Sequence, residues 1–268
     1  MVEDLGQAGD ITSRSVIASN AEARVEIVAR SAGVLAGAQA AELTFTLVDP
    51  DVDVQFRVID GSGVAEGDVV ASVEGSARSI LTAERTALNF LGHLSGIATA
   101  TNDLVQAAEG TVAKICCTRK TTPGLRVLEK AAVRSGGGVN HRLGLDGAIM
   151  IKDNHIAVAG GVGPALAAAQ ASAGPLTSIE IEVDTLDQLD EAVAGGASVI
   201  LLDNMAPSTL REAVARVAGR ARLEASGNVT IQTVRKIAET GVDFISSGWI
   251  THSAPILDFG LDFSGEPK

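Results

Sequence analysis

The sequence predicts an α/β protein in two parts, an α+β unit over about residues 1–95 and then a run of β/α repeats over 96–268 that favours a barrel. Short segments of alternating polarity fill the first part, and a long helical pattern follows them. Six short apolar runs, each with a helical stretch behind it, occupy the rest.

In the first part "ARVEIVARS", "DVQFRVID" and "DVVASVEG" alternate apolar and polar residues as half-buried strands do, and "DGSG" and "AEGD" give the turns between them. A helix is expected from about Arg78 to Ala108, with "HLSG" as the place where it would break. After Thr111 come "TVAKICC", "GAIMIK", "SIEIEV", "SVILLD", "RLEA" and "VDFISS". From the third onward they recur about every twenty residues, the length of one strand, one helix and their turns. Periodicity does not distinguish a closed barrel from an open sheet, but so many units in succession favour closure. Arg119 and Lys120 follow the first run and Lys152 the second; Glu182 and Asp203 close the third and fourth; Ser226 with Gly227 and Ser247 with Gly248 follow the last two. In a β/α barrel all these strand ends share one face, so residues spread over about 130 positions would converge.

The charge distribution points the same way. The chain is acidic, with a net charge of −12, yet residues 114–155 hold eight of the 21 Lys and Arg and only three of the 33 acids. This basic island fits an anion site better than a solvated surface. Overall acidity, 3% aromatics and no Tyr argue against a nucleic-acid track, which needs spread cations and stacking platforms; a small polyanion is the better partner. The only cysteines, Cys116 and Cys117, are adjacent, which is neither a disulfide framework nor metal-ligand spacing, and a reducing cytoplasm is expected. The opening "MVEDLGQAGD" is no signal segment. Ile156–Ile179 is uncharged and long enough to span a bilayer, but its four Gly, two Pro and many Ala read as a loop and a helix.

Individual residues leave alternatives open. Arg119, Lys120 and Arg126 read as a solvated loop or as an anion cluster beside a helix start at "TPG". "SGGGVNHR" reads as a flexible loop or as close backbone approach to a ligand, with His141 and Arg142 offering a donor and a planar fork to a carboxylate. Lys152 is a strand-end lysine or a Schiff-base nucleophile, and Asp153 is taken as a helix cap. Glu182 and Asp203 are caps, or partners of Mg²⁺ or sugar hydroxyls; Glu180 alternates with Glu182, so either could reach the site.

At "EDLG", "GDIT", "ERTALNFLGHLSGIAT", "TRKTTPGLR", "GGGVNHRLGLDGAIMIKDNH", "EIEVD", "LLDN", "EASGN" and "THSAPILDFGLDF" the chain resembles, nearly end to end, the quinolinate phosphoribosyltransferases of NAD biosynthesis. The resemblance implies an N-terminal α/β open sandwich, an incomplete seven-stranded α/β barrel, and a C-terminal tail returning to the first domain. It implies reaction of quinolinate with phosphoribosyl pyrophosphate (PRPP) and Mg²⁺, giving nicotinate mononucleotide, pyrophosphate and CO₂, in a homodimer or higher homo-oligomer. By motif, Arg119, His141, Arg142 and Lys152 would surround the quinolinate carboxylates, and Lys120 would meet carboxylate or phosphoryl oxygens. Arg85 would reach in from a neighbouring subunit. Glu182 and Asp203 would face ribose and metal, directly or through water or PRPP, and Ser226, Gly227, Gly248 and His252 would hold the 5′-phosphate. Lys120, Lys152, Glu182 and Asp203 are the expected catalytic set.

The chain departs from the family pattern at Cys117, where Asp is usual, and at Trp249, where a small residue is usual. It also begins almost on "EDLG", without the usual short helix, a departure that bears on subunit packing. Two other readings share these features: a related barrel phosphoribosyltransferase with another acceptor, and a Schiff-base lyase using Lys152.

Overall fold

The structure is a computed structural model that describes residues 1–263. The chain divides into two compact units, one formed by Met1–Ala100, Ala131–Gly137 and the chain from Ala254, the other by Thr101–Lys130 and Gly138–Ser253.

The first unit begins with helices α1 (Val2–Leu5) and α2 (Ile11–Val16), the latter capped by Asp10, whose carboxylate accepts the Ser13 N–H at 2.9 Å. Then follow β1 (Glu22–Ala29), β2 (Gly33–Val34), α3 (Ala38–Val48), β3 (Asp53–Phe56), β4 (Gly63–Val64), β5 (Val69–Ser76) and α4 (Ala77–Ala107). An antiparallel sheet runs in the order Phe259–Phe263, β1, β5, β3. Its register sets Val25 opposite Val73 and Ile27 opposite Ala71, and all four are buried. Ala41 and Phe45 of α3 and Ile80, Ala83, Ala87 and Leu91 of α4 belong to the same core; the last four keep helical spacing and form one apolar stripe.

The long helix expected from about Arg78 to Ala108 is present as α4, one helix of 31 residues with no break at "HLSG". Its glycines serve close packing instead. A Cβ at Gly96 would stand 2.1 Å from the Pro255 carbonyl, and one at Gly92 would stand 2.8 Å from that of Leu257. The returning chain therefore lies directly on the helix backbone.

The second unit contains β6 (Lys114–Cys116), α5 (Arg126–Ser135, which continues into the first unit), β7 (Ile149–Ile151), α6 (Asp153–Ala159), α7 (Val162–Ser172), β8 (Ile179–Val183), α8 (Leu186–Ala194), β9 (Val199–Asp203), α9 (Pro207–Val217), β10 (Arg222–Ser226), α10 (Val234–Ala238), β11 (Phe244–Ser246) and α11 (Trp249–His252). Six strands form one parallel sheet in the order β6, β11, β10, β9, β8, β7. Where a seventh strand was expected, one residue, Val139, bridges Cys116 in parallel fashion. Gly136, Gly137 and Gly138 precede it, and glycines have no side chains with which to support a longer ladder. The sheet thus has the character of an incomplete barrel.

Alternation does the rest. Ile181, Ile200, Leu202, Leu223, Ala225 and Ile245 are buried, as are Leu189 and Ala192 of α8, Leu210, Ala213 and Val217 of α9, and Val234 and Ile237 of α10. The opposite parity of each strand carries Met150, Glu180, Glu182, Leu201, Asp203, Glu224, Ser226 and Ser246. Among the described residues no helix is long and apolar enough to cross a membrane, and the uncharged stretch 156–179 is divided between α6 and α7.

Candidate active site

A cavity of about 640 Å³ opens at the carboxyl ends of the parallel strands. It is lined by eleven residues singled out from sequence: Arg119 and Lys120 after β6, His141 and Arg142 after the glycines, Lys152 after β7, Glu182 and Asp203 closing β8 and β9, Ser226 and Gly227 after β10, and Gly248 and His252 around α11. Arg85 is not among them. It lies on α4 in the first unit, lining a smaller cleft with Asp4, Asp10 and Thr82.

Ion pairs divide the cations. Lys152 Nζ contacts Glu182 Oε2 at 2.5 Å, and His141 Nε2 contacts Glu180 Oε2 at 2.7 Å. Among the described residues Arg119, Lys120 and Arg142 have no ion pair. Arg142 donates from Nη1 to the Ala148 carbonyl at 3.0 Å, whereas its buried Nε has no hydrogen-bond partner. Burial, and then the charge of Arg119, hold its guanidinium below the usual pKa. Like charges gathered without direct ion pairs are what an anionic ligand would relieve.

Of the two readings open for Arg126, the loop is the one its contacts fit. Its guanidinium donates to Thr121 Oγ1 at 2.8 Å, to the Leu143 carbonyl at 3.1 Å and to the Arg119 carbonyl at 3.4 Å, so it braces the loop on which Arg119 stands. Asp153 is not the cap of α6 but its first residue; Lys152 occupies the cap position, and its N–H donates to His155 Nδ1 at 2.9 Å. That contact fixes the chain at the point where the Lys152 side chain leaves for the cavity.

The mouth on the β9 and β10 side is shaped by backbone geometry. Asn204 and Asn228 both adopt left-handed conformations, with φ 52. Asn204 Nδ2 donates to Asp203 Oδ2 at 2.6 Å, and Asn228 Nδ2 donates to Asn204 Oδ1 at 3.3 Å. Between them Gly227 has φ 95, and a Cβ there would stand 2.1 Å from Asn204 Oδ1. The turn after β10 therefore needs glycine, both for its φ and for its packing on Asn204. Gly248 differs: a Cβ would stand 2.7 Å from Lys120 Cδ, so the lysine stem crosses bare backbone and a larger residue would displace it. Thr251 Oγ1 donates to the Lys120 carbonyl at 2.8 Å and fastens the same loop to α11.

Glu180 and Glu182 separate by depth. Glu182 lines the cavity, while Glu180 lies one alternation lower and is buried. Glu224, unremarked within the run "RLEA", lines the cavity floor and brings Oε2 to 4.0 Å from His141 Nε2. Burial, and then the charge of Glu180, push its carboxyl up to about 7. The hydrogen bond to Glu180 pushes the His141 imidazole up, and burial works in the other direction. Lys130 was also missed. Its buried ammonium donates to the carbonyls of His141 at 2.8 Å and Arg142 at 3.1 Å and contacts Cys117 Sγ at 3.1 Å, anchoring both residues from below. Cys117 in turn lies 3.2 Å from Asn140 Oδ1, so the thiol donor is satisfied at this departure from the family pattern. Trp249 lines the cavity and is partly exposed.

Comparison with known proteins identifies the family. A family model described as quinolinate phosphoribosyl transferase, C-terminal domain, matches residues 97–262, and its N-terminal counterpart matches 10–95. A curated protein of Mycobacterium leprae, nicotinate-nucleotide pyrophosphorylase [carboxylating], is 46% identical over 97% of this chain and 93% of its own length. A Bacillus subtilis protein named probable nicotinate-nucleotide pyrophosphorylase [carboxylating] is 44% identical over 97% of this chain and 90% of its own. The crystal structure of NadC from Streptococcus pyogenes superposes with a TM-score of 0.93 at 44% identity, covering 98% of this chain and 94% of that one.

Proposed function

The chain belongs to the quinolinate phosphoribosyltransferase family, and from that premise we infer that it transfers phosphoribosyl from PRPP to quinolinate, with loss of CO₂, in NAD biosynthesis. In this reaction the ring nitrogen forms a bond to the ribose C1 carbon as the bond to pyrophosphate breaks. The pyridinium then accepts the electron pair released when the neighbouring carboxylate departs as CO₂, and that carbon takes up a proton to give nicotinate mononucleotide.

One observation supports placing this chemistry in the barrel cavity: three cationic side chains without ion pairs converge there opposite two carboxylates. Quinolinate is a dianion and PRPP a polyanion, so their mutual repulsion must be offset before they meet. In the proposed assignment Arg119, His141, Arg142 and Lys152 receive the quinolinate carboxylates, Lys120 receives carboxylate or phosphoryl oxygens, and Ser226, Gly227, Gly248 and His252 receive the 5′-phosphate. Glu182 and Asp203 face the ribose, where positive charge builds as pyrophosphate leaves. They are also hard-oxygen donors on neighbouring strands, a donor set that fits Mg²⁺ held directly, through water or through PRPP oxygens. When bound, that ion neutralises charge on the departing pyrophosphate. The Lys152 ammonium is paired with Glu182, which favours an anion-binding role over Schiff-base formation. The unpaired, buried Cys116 and Cys117 favour a reducing compartment, for which the cytoplasm is proposed.

Release of CO₂ from carboxyl-labelled quinolinate, with and without PRPP, tests the reaction. Release should require both PRPP and Mg²⁺; none in their joint presence would overturn the proposal.

The proposed active unit is a homodimer or higher homo-oligomer in which Arg85 completes the site of another subunit. This reading rests on the family resemblance, which gives Arg85 to the site of a neighbouring subunit. An Arg85→Ala chain mixed with a Lys152→Ala chain should recover activity, because some mixed sites would be intact. Heterodimers that form yet remain inactive would exclude the shared site.

A further inference from the structure

At the cavity floor His141 meets two buried carboxylates that the proposed reaction does not yet use. His141, Glu180 and Glu224 come from three different segments, and their ligating atoms all lie within 4.8 Å of one another. The side chains of Glu180 and Glu224 are only 8% and 5% exposed, and Glu180 Oε1 has no hydrogen-bond partner. Two carboxylates buried beside an anion site oppose its evident purpose, so their presence calls for a compensating role.

The role follows from the nitrogen they occupy. Glu180 Oε2 lies 2.7 Å from His141 Nε2, with Glu224 Oε2 on the same atom's side at 4.0 Å. An ionised carboxylate at this distance requires Nε2 to carry a proton. If the ring were neutral, Nδ1 would be a lone-pair acceptor and would repel a ligand carboxylate. Only the imidazolium has a donor at both nitrogens. We propose that Glu180 and Glu224 are positioning residues that hold His141 as an imidazolium, so that Nδ1–H donates to a carboxylate of the bound acid.

The surroundings fit this assignment. Glu180 on β8 is the main cause of the upward shift at His141, its charge and that of Glu224 on β10 add to the shift, and Lys130 on α5 opposes it. Arg142 is the adjacent cation, itself disfavoured by burial. Glu224, pushed up to about 7 by burial and then by the charge of Glu180, adds its negative charge beside His141 once it ionises. The sign follows: a raised His141 keeps its charge as pH climbs past the ordinary histidine value, and ligand affinity falls only when that proton is lost. Lys130 fixes the backbone of residue 141, so the carboxylates act on the ring and not on the loop.

This inference rests on the proposed use of quinolinate, but its main test does not. In histidine-¹⁵N-labelled protein without substrate, His141 signals are identified by their loss in His141→Gln. At pH 7.5, where an unperturbed histidine is roughly nine-tenths neutral, both His141 nitrogens should report as protonated. In Glu180→Gln, which keeps a side-chain oxygen for Nε2–H but removes the charge, His141 should become neutral at that pH. Glu224→Gln should lower its protonation in the same direction. Quinolinate binding should weaken by roughly 10- to 100-fold in Glu180→Gln, with the KM for PRPP unchanged, and recover as pH is lowered. A neutral His141 in the wild-type protein, or unchanged ionisation in Glu180→Gln, would overturn the proposal. Failure of PRPP-dependent CO₂ release with a protonated His141 would instead reject quinolinate as the ligand and retain the charged histidine.

Discussion

Glu182→Gln and Asp203→Asn should each lower turnover by roughly 10²- to 10³-fold, the usual consequence of removing one preorganised electrostatic group from a transition state. Their positions set the expected pattern. Asp203 Oδ2 is held by Asn204 and Glu182 Oε2 by Lys152, so both carboxylates have fixed orientations at the cavity. If they face the ribose and metal, their loss acts when positive charge builds at the sugar and when pyrophosphate departs. It should not act when quinolinate binds. Loss of the Glu182 charge leaves Lys152 without its counter-ion, which preserves or strengthens its attraction for a dianion. Steady-state kinetics should therefore show a large fall in kcat and a changed Mg²⁺ dependence, and equilibrium binding should show a quinolinate Kd that has not weakened. A quinolinate affinity that falls in parallel with kcat would mean the carboxylates are assigned to the wrong substrate.

How much of this was legible in the sequence depended on the range of the interaction. All six barrel strands coincide with the apolar runs from which they were read, because alternation and strand ends are local signals. The convergence of Arg119, Lys152, Glu182 and Asp203 followed from one topological rule. Depth did not. Glu180 and Glu182 share a parity, and only the stagger of neighbouring strands shows that one reaches the cavity while the other lies beneath His141. Glu224 escaped notice inside an apolar run, although its parity with Ser226 marks an inward-facing charge. In the sequence Lys130 is only one cation of the basic island, since nothing nearby reveals that the carbonyls of His141 and Arg142 close around it. From sequence, Arg126 stands between two readings. Charge alone placed it with Arg119, whereas its planar fork is satisfied by loop oxygens. Gly92 and Gly96, on either side of "HLS", signalled something other than a break, and their meaning lay in Pro255 and Leu257 of the returning chain that packs against them.

Nicotinate, offered in place of quinolinate at matched PRPP and Mg²⁺, should be used between roughly 30-fold and several thousandfold less well. It lacks the carboxylate beside the ring nitrogen, so in this cavity it would leave part of the cation set unmatched. A buried charge that loses its partner costs about 2–5 kcal/mol, and each 1.4 kcal/mol is about tenfold. Arg142 is the residue where this penalty should be most visible. Its Nε is buried without a partner and Arg119 repels it, while the Ala148 carbonyl and the charge of Glu180 compensate it only in part, so an incoming anion supplies the direct ion pair that it lacks. Lys152 differs, because Glu182 already compensates its charge when no ligand is present. Arg142→Ala should therefore narrow the preference for quinolinate more than Lys152→Ala does, and both should act mainly by harming quinolinate, not by improving nicotinate. The ratio of kcat/KM for the two acids in the wild type and both variants reads this directly. Comparable wild-type use of the two acids would show that the basic island is not matched to a dianion.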